Sequence, residues 1–81
     1  MAKVTVAAPS AGVVYRRPSP EEDPFVSVGD VVAAGQVVCL VEIMKTFAEV
    51  KTEAGGKVTE VNFEDEQFVA EGDPLVVIET D

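Results

Sequence analysis

An 81-residue chain with six lysines and arginines against fifteen aspartates and glutamates carries a formal net charge of −9 and no histidine. That length holds one small domain, and that charge disfavours nucleic-acid phosphates and anionic membrane surfaces as partners. No apolar run approaches the roughly 18 residues of a membrane span, and Met1-Ala2-Lys3-Val4 opens without the apolar core of a signal peptide; a cytoplasmic protein is expected.

The apolar residues are mainly valines, which favour strands. In chain order, short strands are expected near Val4–Ala7, Gly12–Tyr15, Phe25–Val28, Gln36–Glu42, Phe47–Thr52, Gly56–Asn62, Gln67–Val69 and Pro74–Glu79. Turns fall at Pro9-Ser10-Ala11, Gly29-Asp30, Ala54-Gly55 and Gly72-Asp73. No long stretch has helical periodicity. The expected fold is all-β: a flattened barrel or sandwich of two interlocked sheets.

Between the second and third strands lies Arg16-Arg17-Pro18-Ser19-Pro20-Glu21-Glu22-Asp23-Pro24, with three prolines and five charges. Proline this dense does not enter a central strand, so a protruding loop or finger is expected. On composition alone a tolerated surface insertion explains it equally well. Cys39, inside an apolar run, has no second thiol and no histidine to activate it; core packing is its expected role. The acidic run Glu64-Asp65-Glu66 lacks the alternating spacing of a calcium loop, and no His/Cys cluster exists, so no metal is expected and the run reads as a solvated turn.

The chain contains a repeat. Gly35-Gln36-Val37-Val38-Cys39-Leu40-Val41-Glu42 matches Gly72-Asp73-Pro74-Leu75-Val76-Val77-Ile78-Glu79 at an offset of 37, and Val31-Val32-Ala33 matches Phe68-Val69-Ala70 at the same offset. Upstream, Ala11-Gly12-Val13-Val14 matches Gly55-Gly56-Lys57-Val58 at an offset of 44. The first half is therefore longer by about seven residues, accounted for by the proline-rich segment. Two duplicated β units packing their apolar faces together form one core. Two four-stranded sheets related by a pseudo-twofold axis are expected.

The repeat also bears on Lys45. It lies between two apolar strands, in Glu42-Ile43-Met44-Lys45-Thr46, and its counterpart would fall just beyond Asp81. A tight turn there puts the amine at a hairpin tip, at the opposite end from the termini. Most lysines in turns are plain surface residues. Ile43 and Met44 are unusual beside one, where Asn, Asp or Gly is the common choice, and they suggest a surface read by a partner. A Schiff-base lysine would need a pocket that so small a β domain has little room to build. No catalytic residue is expected, and the chain reads as a non-enzyme.

Taken together, Glu42-Ile43-Met44-Lys45-Thr46, Ala8-Pro9-Ser10-Ala11-Gly12, Val28-Gly29-Asp30, Gly35 and the closing Pro74-Leu75-Val76-Val77-Ile78-Glu79 resemble the biotinyl domain of biotin carboxyl carrier proteins. The resemblance covers nearly the whole chain, so residues 1–81 are expected to form one biotinyl domain. The family pattern Glu-Ala-Met-Lys-Met carries biotin on its lysine, and Tyr15-Arg16-Arg17-Pro18-Ser19-Pro20 resembles the thumb of carriers of the bacterial acetyl-CoA carboxylase type. The resemblance implies biotin on Lys45, with Glu42, Ile43, Met44 and Thr46 read by a biotin protein ligase. It also implies a thumb over Arg16–Pro24, and shuttling of a carboxyl group from biotin carboxylase to a carboxyltransferase acting on an acyl-CoA such as acetyl-CoA. Lipoyl carrier domains of 2-oxo acid dehydrogenase-type complexes share the fold and are the alternative. Their lysine usually follows aspartate, whereas Met44 precedes it here. Ile43 and Thr46 depart from the biotin pattern, by a larger residue and a more polar one.

Overall fold

The computed structural model describes residues 2–19 and 21–80; Met1, Pro20 and Asp81 lie outside the described residues. Eight strands run in order: β1 Ala2–Ala7, β2 Gly12–Tyr15, β3 Val31–Val32, β4 Val37–Ile43, β5 Thr46–Lys51, β6 Gly56–Val61, β7 Gln67–Val69 and β8 Pro74–Thr80. They form two antiparallel four-stranded sheets, β1-β8-β6-β3 and β5-β4-β2-β7, and the described residues contain no helix. Advancing each strand by four positions converts one order into the other, so the sequence repeat is also the symmetry of the fold.

Alternation builds the core. In β2, Gly12 and Val14 are buried while Val13 and Tyr15 are half-exposed, the signature of a sheet with one wet face. The inner faces meet through Val14, Val38, Val41, Val58, Val76, Leu75 and Ile78, all essentially inaccessible. A bulge between Val37 and Cys39 turns Val38 and Cys39 inward together. Thr52 is the buried polar residue among those described; its hydroxyl donates to the Ala54 carbonyl at 2.7 Å and accepts the Ala54 amide at 3.2 Å, so burial leaves it satisfied.

Two glycines let the strands close up. A Cβ at Gly12 would strike the carbonyl oxygen of Glu42, and one at Gly56 the carbonyl oxygen of Glu79. These are equivalent positions of the repeat, so one steric requirement is met twice.

The strand expected at Phe25–Val28 does not form; the third strand is the two-residue Val31–Val32. The segment's polar groups are captured locally instead. The Phe25 amide donates to the Arg16 carbonyl, the Val26 carbonyl accepts from Arg16 Nη2, and the Ser27 amide donates to Asp30 Oδ2. Val26 still enters the core, which explains its strand-like pattern.

Leu75→Ala should lower stability by about 3 kcal/mol, since Leu75 is fully buried and its loss leaves a cavity; urea denaturation measures this. Burial pushes the Cys39 thiol up to about 12 from its ordinary value. Native protein should therefore resist thiol reagents at neutral pH and react fully once unfolded. Because the unfolded thiol ionises first, stability should fall as pH rises from the ordinary thiol range toward about 12, a decline that Cys39→Ala should reduce.

Candidate functional site

The β4–β5 ladder runs from Val37↔Lys51 to Ile43↔Thr46, leaving two residues, Met44 and Lys45, to reverse the chain. Their φ angles are 50° and 68°, both left-handed, as a type I′ hairpin turn demands. That turn matches the right-handed twist of the flanking strands, which is why so short a connection adopts it. Glycine or asparagine usually fills it, because a side chain in this conformation costs about 1–2 kcal/mol per residue. Methionine and lysine stand there instead, and Met44 is 93% exposed, so no burial offsets the strain. Among the described residues, Lys45 enters neither of the ion pairs, Arg17–Asp65 and Lys51–Glu49, and none of the side-chain hydrogen bonds. Its amine stands in water at the tip of a rigid hairpin.

The hairpin base is braced. Tyr15 Oη donates to Glu42 Oε1 at 2.9 Å, and the Tyr15 and Phe47 rings lie 5.6 Å apart at 57°. The Glu42 hydrogen bond, with desolvation and the Glu42 charge behind it, holds the Tyr15 hydroxyl above the usual phenol range, so it stays a donor. Ile43, expected beside Met44 as an exposed apolar residue, is half-buried against the core. The apolar surface near the lysine is therefore Met44 and Phe47, the latter 55% exposed. Thr46 is exposed.

The described residues of the 16–24 segment, 16–19 and 21–24, fold back beside this base. The segment is closed by the Phe25 amide donating to the Arg16 carbonyl at 2.7 Å and the Glu22 amide to the Ser19 carbonyl at 3.1 Å. Asp65 pins it: Oδ1 accepts the Arg16 amide at 2.8 Å, and Oδ2 lies 4.0 Å from Arg17 Nε. Asp65 was thus more than part of a solvated turn, and only its proximity in space reveals this. Tyr15, Arg17, Pro18, Ser19, Phe47, Asp65 and Glu66 enclose a groove of about 230 Å³ between the segment and the hairpin strand. Glu21, Glu22 and Asp23 are exposed and Pro24 half-buried.

The family model of biotin-requiring enzymes matches residues 4–78. The chain belongs to the biotin–lipoyl family. Relatives named as biotin carboxyl carrier proteins of acetyl-CoA carboxylase include the chloroplastic protein 1 of Arabidopsis thaliana, 44% identical over 93% of this chain and 27% of its own length. That of Nostoc sp. is 40% identical over 94% of this chain and 42% of its own length. That of Haemophilus influenzae is 39% identical over 91% and 48%. This chain spans between about a quarter and a half of these relatives. The crystal structure of Kluyveromyces lactis urea carboxylase matches with a TM-score of 0.81 and 28% identity, over 98% of this chain and 6% of that one.

Replacing Met44-Lys45 with Asn-Gly should relieve the turn and raise stability by about 1–2 kcal/mol. Equal urea midpoints for the two proteins would show the left-handed pair to be unstrained.

Proposed function

We propose that this domain is a biotin carboxyl carrier and that Lys45 is its attachment residue. The observation that carries the proposal is the strained turn: Met44 and Lys45 both hold left-handed φ where glycine would fit better, and the amine is left exposed and unpaired. Glu66 holds a single left-handed φ elsewhere, but Met44 and Lys45 are two such residues in succession, both exposed, and strain doubled there against stability points to function. The names of the relatives support biotin as the group.

Lys45 Nζ attacks the carboxyl group of biotin, activated by a biotin protein ligase, and an amide forms as the activating group leaves. Biotin attached to Lys45 would supply a ureido nitrogen able to carry a carboxyl group from biotin carboxylase to a carboxyltransferase, with an acyl-CoA such as acetyl-CoA as acceptor. In the carboxyl transfers themselves the domain's residues make and break no bonds. Tyr15, Glu42 and Phe47 stiffen the hairpin base, so the lysine's own methylenes supply the reach. Glu42, Ile43, Met44 and Thr46 are the residues a ligase meets around the amine. Tethering keeps the carried group at a high effective concentration near each active site. Residues Arg16–Pro24 serve as a thumb, and the groove beside Phe47 is of a size and apolarity to shelter a small ring between visits.

Lys45→Arg should fold normally and take no biotin from a ligase with biotin and ATP. Intact mass decides this, and a mutant that gains a biotinyl group would contradict the assignment. Deleting residues 17–23 should leave a folded domain that still accepts biotin but transfers carboxyl groups more slowly; an unchanged transfer rate would remove the thumb's role.

A further inference from the structure

The pseudo-twofold supplies an internal comparison between the two outer sheet faces. On one sheet, directly opposed residues form the row Val31–Lys57–Glu79–Lys3. The equivalent row on the other sheet, at offsets of 37 and 44, is Phe68–Val13–Glu42–Phe47. The glutamate is kept. Both lysines beside it have become apolar, and the edge valine has become phenylalanine. Tyr15 and Leu40 pair in the next row, so an apolar surface crosses the whole β5-β4-β2-β7 sheet. Phe68 is 69% exposed and Phe47 55% exposed.

Glu42 sits within this surface with the Tyr15 hydroxyl as its partner and, among the described residues, no cation. Lys51 lies 3.9 Å from Glu49 and Arg17 pairs with Asp65, while Lys45, unpaired at the hairpin tip, would lose its charge once biotinylated. Glu49, Asp65 and Glu66 line the rim. A half-buried carboxylate ringed by aromatic and aliphatic groups is the complement of an arginine or lysine set in an apolar surface. A second copy of this chain, at −9, would meet like charge. An enzyme that binds ATP and bicarbonate, both anions, needs a cationic approach to its site.

We propose that the outer face of the β5-β4-β2-β7 sheet, from Phe47 through Glu42 and Val13 to Phe68, is the surface on which biotin carboxylase seats this domain, with a cationic side chain of the enzyme against Glu42. The proposal rests on the carrier reading. The patch is small, which suits an encounter that must release.

Two measurements test it. In the first, the ¹⁵N-labelled domain without biotin is titrated with biotin carboxylase. Amide signals of β2, β4, β5 and β7 should broaden while those of Val31, Lys57 and Lys3 persist; broadening confined to the hairpin tip, or equal on both sheets, overturns the proposal. In the second, biotinylated variants serve as substrates of biotin carboxylase. Phe68→Ser should raise KM about tenfold with kcat nearly unchanged, whereas Val31→Ser, its symmetry mate at 80% exposure, should change neither. Glu42→Gln keeps an acceptor for Tyr15 and should flatten the rise of KM with salt. Equal effects of the Phe68 and Val31 changes, or none, count against the surface. Failure of wild-type protein to accept biotin would instead count against the carrier reading, and the titration of unmodified domain still decides the surface.

Discussion

The register of β4 against β5 is the constraint on which the site depends. Pairing that continues to Ile43↔Thr46 leaves two residues to turn the chain, and two residues between twisted strands demand left-handed backbone at both. The lysine is exposed because it has no other place to go. Had the ladder stopped one pair earlier, a four-residue loop would carry the amine on a softer support. The same register sets Glu42 opposite Phe47, and Tyr15 closes over both, so the base is stiffened by the pairing that strains the tip.

Duplication explains how so short a chain supports this. Gly12 and Gly56 admit the same close approach of carbonyls from Glu42 and Glu79, and the two sheets exchange under one symmetry. Symmetry serves the core, where both halves bury valines, and is broken outside it. In one half Thr80 pairs with Ala2, where in the other the equivalent pair Ile43↔Thr46 is joined through Met44 and Lys45. One half has the 16–24 segment, and one outer face exchanges lysines for valine and phenylalanine. The differences gather around Lys45, as expected if the core is shared architecture and function was added on one side.

Much of this was legible in the sequence. The repeat, with its change of offset across the proline-rich segment, predicted two equivalent sheets, and a lysine between two apolar runs predicted a hairpin. The misses have local causes. Phe25–Val28 has the alternation of a strand, but Arg16 and Asp30 take its backbone groups, and no ladder partner remains. The repeat held the better signal, since Val31-Val32 matched the strand at Phe68-Val69. Ile43 looked exposed because it adjoins the turn, yet alternation from buried Val41 returns it to the core side. Asp65 could not be found along the chain, since its partners Arg16 and Arg17 lie 49 and 48 residues away.

One lysine of four, set on a strained turn, is proposed as the attachment point for biotin. The most direct measurement is peptide mapping by tandem mass spectrometry of wild-type protein after incubation with biotin protein ligase, biotin and ATP. A single biotinyl group on Lys45, with Lys3, Lys51 and Lys57 unmodified, is the expected result. A biotinyl group on another lysine, or a lipoyl rather than a biotinyl group found on Lys45 in protein from cells able to attach both, would contradict it.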